Sequence, residues 1–316
     1  MLLFNSLSVN IIYIIKHGDM IMKIYYISDI HLEFFLDKNN QLIKNSVVSN
    51  LLDLVYLPIL SSVENTDDEN ILLLAGDICT GKYFHFFIPL FEKALLVGNY
   101  QKIFMIAGNH EYYHSDFLKA PLAIKTAISN SPILKNKMFY IDNENIVLNN
   151  HVNLIASTLW YKVPAHFELK ITDELNDYVY IMKSNKNIGA IGRGYSYNQH
   201  EHTLIDYPFI YQKYVDSINF IKNSLIQNNK TNLKSIVMTH HALSERFMIG
   251  TIYEDNPDNV YGYGTVMPYD FLDEKVNIEE YSIWTHSKCL ACGKEYESKM
   301  VESGFGQKVI WNDYRK

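Results

Sequence analysis

Five short apolar runs in this chain each end in side chains that can bind a metal ion. Residues 24–27 lead into Ser28-Asp29-Ile30-His31, residues 71–75 into Gly76-Asp77, and residues 102–106 into Ala107-Gly108-Asn109-His110-Glu111. Residues 235–238 lead into Thr239-His240-His241, and residues 281–284 into Thr285-His286-Ser287-Lys288. Runs of this length, rich in β-branched and aromatic residues, read as buried strands. Apolar positions at helical spacing over 47–60, 84–96, 117–129 and 210–226 predict helices between most of them. Further strands are expected at 139–141, 146–148, 152–158 and 308–311. In an α/β sheet the loops at the carboxyl ends of the strands converge on one crevice. Ligand-type residues scattered over most of the chain can therefore meet in space.

The rest of the composition narrows the class. Hydrophobic residues make up 48% and charged residues 20% of 316 residues, which excludes wholesale disorder. The 28 Lys and Arg against 35 Asp and Glu give a net charge of −7, which argues against a nucleic-acid partner, because phosphate backbones need clustered cations. Three cysteines, Cys79, Cys289 and Cys292, make no disulfide framework, so a reducing compartment, the cytoplasm, is expected. Residues 1–16 are apolar but interrupted by Asn5, Ser6, Ser8 and Asn10, too short and too broken to span a bilayer, so no membrane partner is expected. Residues 1–21 read as an extension outside the fold, and residues 22–316 as one domain with two sheets. The polar, aromatic stretch 161–207 reads as a lid or an insertion.

Carboxylate, imidazole and amide oxygen suit Mn, Fe or Zn. One aspartate can bridge two such ions through its two oxygens. Each block alone has an ordinary structural explanation: Gly-Asp marks a turn, Asn109 caps a helix, and His240-His241 is a histidine pair at a strand end. All of them in this order, each after a strand, are hard to obtain by chance.

Taken together, Ser28-Asp29-Ile30-His31-Leu32-Glu33, Ala75-Gly76-Asp77-Ile78 and Ala107-Gly108-Asn109-His110-Glu111-Tyr112-Tyr113 resemble the motifs of the calcineurin-like metallophosphoesterase superfamily. Ser157-Thr158-Leu159-Trp160, Asn176-Asp177-Tyr178 and Val237-Met238-Thr239-His240-His241-Ala242 are similar to those of a cytosolic phage- and bacteria-like branch. The resemblance implies a four-layer αββα sandwich of two mixed sheets. It implies a metal-dependent phosphoesterase acting on a small phosphorylated substrate, a phosphomonoester or phosphodiester, through a metal-bridging hydroxide. Asp29 and His31 would hold one ion, Asp77 would bridge, and Asn109, His240 and His286 would complete the ligand set. Asp77 and His110 would be catalytic, with Asn109 and His110 meeting the substrate. His241 would support its neighbour.

One position departs from the pattern. The family's last motif is Gly-His-x-His, and here His286 takes the first histidine while Lys288 falls on the second. An ammonium cannot donate a lone pair. The expectation is thus two divalent ions (Mn, Fe or Zn), or one if Lys288 spoils the first site. The alternative function is a degenerate phosphoesterase fold that binds without catalysis. Cys289 and Cys292 offer substitute thiolates or are free thiols in a loop. His200, His202 and Arg193 either line the site or belong to a surface loop. Tyr112, Tyr113 and Trp160 either stack on a substrate or pack in the core.

Overall fold

A computed structural model describes residues 10–17, 20–36, 69–163, 165–183, 204–231, 233–241, 280–284 and 299–303. Two five-stranded mixed sheets dominate it. The first contains β1 (Asn10–His17), β2 (Met20–Ile27), β3 (Glu69–Ala75), β4 (Tyr100–Ile106) and β6 (Met138–Tyr140), in the order β1-β2-β3-β4-β6. The second contains β7 (Glu144–Val147), β8 (Val152–Ser157), β10 (Lys234–Thr239), β11 (Glu280–Trp284) and β12 (Lys299–Ser303), in the order β12-β11-β10-β8-β7. The inner strands of each sheet are parallel, and β1, β7 and β12 join antiparallel. A two-stranded ribbon pairs β5 (Ser115–Asp116) with β9 (Ile181–Met182).

The continuous apolar runs follow from burial on both faces. Ile71, Leu73 and Ala75 of β3 point into a core shared with Ile24, Ile106, Leu154, Ala156, Ile236 and Met238, which lies between the sheets. Leu72 and Leu74 point the other way, into a core beneath the helices. The same alternation holds along β2, β4, β8 and β10. α1 (Ile88–Val97) and α2 (Lys119–Asn130) cover the first sheet, and α5 (Tyr207–Lys230) covers the second. Ala120, Ile124, Ala127 and Ile128 form the buried stripe of α2. Truncating one of the wholly buried strand leucines to alanine costs about 2–5 kcal/mol. Asn228 on α5 is buried: its Oδ1 accepts from Asn145 (3.0 Å) and Asn153 (2.9 Å), and its Nδ2 donates to Ser235 (2.8 Å). That side chain ties the helix to three strands. The architecture is the expected αββα sandwich.

Two expectations need correction. Residues 10–17 do not stand outside the fold: β1 pairs with β2 from Asn10↔Tyr26 to His17↔Met20 and forms the sheet edge. The interruptions at Asn5, Ser6 and Ser8 precede the strand, and residues 11–15 are an unbroken apolar run. The helix expected over 84–96 starts as a 3-10 stretch, Gly81–Phe87, and becomes α-helical only at α1. Residues 161–207 include two short helices, α3 (Glu168–Glu174) and α4 (Asp177–Tyr180), and the ribbon strand β9. The helix expected over 47–60 and the strand over 308–311 lie outside the described residues. Among the described residues no helix is long and apolar enough to cross a membrane.

Candidate metal centre

The carboxyl ends of β2, β3, β4 and β10 lie side by side, and their loops are zipped together by backbone bonds. Asp29 N donates to Gly76 O (3.0 Å), His31 N to Asp77 O (3.0 Å) and Leu32 N to Ile78 O (2.9 Å). Asp29, His31 and Asp77 all adopt left-handed backbone (φ 54°, 52° and 52°), a region in which Asp tolerates more than most residues. Gly76 (φ 92°) and Gly108 permit the close approach. A Cβ on Gly108 would overlap Asp77 Oδ1 and lie 2.7 Å from both Asp77 N and His240 Cε1. The buried Glu111 carboxylate braces two of these loops. It accepts from the backbone N–H of Asp77 (2.9 Å), Ile78 (2.8 Å), Cys79 (3.2 Å) and Gly108 (2.6 Å).

Three imidazoles surround Asp77, and each uses Nδ1 and Nε2 in the same way. His240 Nδ1 lies 3.0 Å from Ala75 O, an acceptor only, so Nδ1 carries a proton and Nε2 is the ring nitrogen left to face a ligand. That Nε2 lies 3.5 Å from Asp77 Oδ1. His31 Nδ1 is 3.4 Å from Glu33 Oε1, and its Nε2 is 3.8 Å from Asp77 Oδ2. His110 Nδ1 is 2.8 Å from the same Glu33 oxygen, and its Nε2 is 4.0 Å from Asp77 Oδ2. Asn109 Oδ1 lies 3.3 Å from His240 Nε2. The His110 backbone N–H also donates to Asp77 Oδ1 (2.9 Å).

These residues fit divalent ions. Donors ~2.0–2.2 Å from one ion stand about 3–3.6 Å apart, which is the spacing of His240 Nε2 from Asp77 Oδ1 and from Asn109 Oδ1. On the other side of Asp77, donor atoms of His31, Asp77 and His110 all lie within 4.8 Å of one another. Two groups of donors thus share one aspartate. His110 belongs to the second by distance, yet it differs from the other imidazoles in exposure. Its side chain is 21% exposed, against 5% for His31 and 6% for His240.

The electrostatics reflect imidazoles packed around buried carboxylates. Burial disfavours charge on Asp77, but the imidazoles of His240, His110 and His31 outweigh it and hold the carboxyl below its usual range. Asp29 is buried among the same groups, with Ser28 Oγ donating to its Oδ2. Burial, with Asp77 adding, pushes its carboxyl up to about 7, against the opposing pull of His240. Burial would lower His110, but Asp77 and Glu33 together raise it to about 10. Burial and the adjacent His240 depress His241 to about 3.

The structure brings Asp29, His31, Asp77, Asn109, His110 and His240 to one place; His286, Lys288, Cys289, Cys292, Arg193, His200 and His202 lie outside the described residues. His241 packs its ring on Trp160 (5.4 Å) and Tyr161 (5.3 Å) and edge-on against the His240 ring (5.0 Å). Tyr112 and Trp160 are buried core, whereas Tyr113 stacks on His110 at 4.2 Å. Three carboxylates in the site had no assigned role from sequence: Glu33, Glu111 and Asp177. All three lie inside quoted motif blocks, which was the available signal.

The calcineurin-like phosphoesterase profile matches residues 22–287. An uncharacterised protein of Acanthamoeba polyphaga mimivirus is 26% identical over 229 residues, 69% of this chain and 66% of that protein. The crystal structure of phosphopantetheinyl hydrolase from Mycobacterium tuberculosis superposes with a TM-score of 0.49 at 10% identity, covering 84% of this chain and 82% of that one. That of a 5'-nucleotidase precursor from Thermus thermophilus gives 0.30 at 12% identity, over 69% of this chain and 36% of that one. At these levels neither structure says anything about the activity of this chain.

Proposed function

The chain belongs to the calcineurin-like phosphoesterases, and from that premise we propose that it hydrolyses a small phosphomonoester or phosphodiester with the aid of divalent ions. The observation that carries this reading is Asp77 set between three imidazole Nε2 atoms, each with its Nδ1 on an oxygen acceptor. Asp29, His31, Asp77, Asn109 and His240 would hold the ions, with His286 added from the last strand end. Bound ions would polarise a phosphoryl oxygen and acidify a water. His110 is the open imidazole; Glu33 on its Nδ1 favours the imidazolium, whose Nε2–H can stabilise or protonate the leaving oxygen. Tyr113 stacks beneath the His110 ring and limits its rotation.

The test separates the two roles. Bound metal is counted on purified protein. Hydrolysis of p-nitrophenyl phosphate and bis(p-nitrophenyl) phosphate is followed with added Mn, Zn, Fe and Mg. Asp77→Ala should lose both metal and turnover. His110→Ala should retain metal and lose ~10²–10⁴-fold in turnover, the usual worth of a general acid. If His110→Ala strips metal as fully as Asp77→Ala, His110 is a ligand with His31 and Asp77. A wild type that binds metal and hydrolyses neither ester would favour the non-catalytic binding reading.

A further inference from the structure

The Asn109 side chain has two ends, and only its oxygen can serve a cation. Its Nδ2 donates to Asp177 Oδ1 at 2.7 Å and lies 3.2 Å from Tyr113 Oη. Tyr113 Oη in turn donates to Asp177 Oδ1 at 2.9 Å, so that hydroxyl presents a lone pair to Asn109. Tyr161 Oη approaches Asp177 Oδ2 at 3.3 Å. Asp177 is buried, and its Oδ1 accepts from both the Asn109 amide and the Tyr113 hydroxyl. Rotating the amide by half a turn would place a carbonyl oxygen against the carboxylate, which is repulsive. Oδ1 is therefore directed at His240 Nε2, 3.3 Å away. With His240 Nδ1 donating to Ala75 O, a deprotonated Nε2 and Asn109 Oδ1 can both serve one cation.

Asp177 comes from outside the strand-end pattern. It opens α4, 68 positions after Asn109. The β5–β9 ribbon delivers it: β9 follows α4 directly, pairs with β5, and His114 N donates to Tyr180 O at 2.7 Å. The insertion between β8 and α5 thus places one carboxylate behind the metal centre.

We infer that Asp177 is a positioning residue: it fixes the rotation of the Asn109 amide so that its oxygen serves the ion shared with Asp77 and His240, and it anchors the Tyr113 ring beneath His110. The inference rests on the metal-site reading above, and the measurements keep the two apart. Mn affinity is measured by competition with a chelating dye for wild type, Asp177→Asn, Asp177→Ala, Asn109→Ala and the double variant Asn109→Ala/Asp177→Ala. Turnover of p-nitrophenyl phosphate is followed against Mn concentration. The isosteric Asp177→Asn covers the case in which Asp177→Ala does not fold. Both Asp177 variants should weaken Mn binding about 10–100-fold, the usual cost of removing a group that orients a ligand. Excess Mn should restore turnover toward wild type in Asp177→Asn, which a merely structural defect would not allow. In the Asn109→Ala background, loss of Asp177 should have no further effect on affinity. Wild-type affinity in both Asp177 variants overturns the inference, as does an equal further loss in the Asn109→Ala background. A wild type that binds Mn without hydrolysing ester would remove the hydrolase reading and leave the positioning role standing. A wild type that binds no Mn overturns both.

Discussion

Glu111 is the residue whose replacement tests the architecture of the centre most directly. Its two carboxylate oxygens accept four backbone N–H groups, two each: Ile78 and Cys79 on Oε1, Asp77 and Gly108 on Oε2. Glu111→Gln keeps the shape of the side chain but turns one oxygen into an NH2. Two backbone donors then face another donor in a site with no exposure to solvent. Leaving a buried donor unmade costs about 1–3 kcal/mol, so the substitution should destabilise the fold by roughly 2–6 kcal/mol. Against a total stability of about 5–15 kcal/mol, that is a large fraction.

The assay is thermal unfolding of metal-free protein, because bound ions would add their own stabilisation. At ~2 °C per kcal/mol for a large domain, the midpoint should fall by roughly 4–12 °C. Turnover should fall with it even where the protein remains folded, since either pair that loses its acceptor includes the loop carrying Asp77. A midpoint within about 2 °C of wild type would refute the reasoning, because the carboxylate would then not be what holds the two loops together.

Gly108→Ala places a methyl group against Asp77 Oδ1 and the His240 ring, so metal content should fall sharply while circular dichroism shows a folded chain. Retention of full metal occupancy would mean that the β4 loop is free to retreat. Removing residues 1–19 deletes β1 and leaves β2 as an open edge, so the midpoint should drop and soluble yield should fall. An unchanged midpoint would return the segment to the status of an extension.

What could be read from sequence follows from which forces are local. The inner strands β2, β3, β4, β8 and β10 were legible because burial on both faces writes an unbroken apolar run. Their ends were legible because Asp29, His31, Asp77, Asn109, His110 and His240 are consecutive with those runs. β1 was not, because its apolar run, residues 11–15, sits directly behind the polar interruptions Asn5, Ser6, Ser8 and Asn10. β12, with only Met300 and Val301 apolar, leaves little trace in side-chain pattern. Asp177 and Glu33 are different again. Their roles depend on partners 68 and 77 positions away in sequence, Asn109 and His110 respectively, and nothing local marks a carboxylate that will face an amide or an imidazole. The Glu111 clamp also needs the fold, because its four donors come from two loops that meet only when β3 and β4 are paired.

Asp29 carries the last prediction, because it separates what the centre needs from what the fold needs. It is buried, left-handed in backbone, and shares its surroundings with the Asp77 carboxylate. Without a cation, two carboxylates there oppose each other in a poorly solvated space. Asn at this position tolerates the same left-handed backbone, so at a pH above the value of about 7 to which burial pushes Asp29, Asp29→Asn leaves the loop geometry alone and removes one charge. Ser28 can still donate to the remaining oxygen. The metal-free variant should therefore unfold a few degrees above metal-free wild type, the opposite of what most buried substitutions do. With Mn added the order should reverse, since wild type gains more from an ion that its full carboxylate can hold. Both halves are read from the same pair of melting curves, recorded in chelator and in Mn. A metal-free midpoint below wild type would show that the Asp29 charge stabilises the fold itself. An unchanged response to Mn would remove Asp29 from the ligand set.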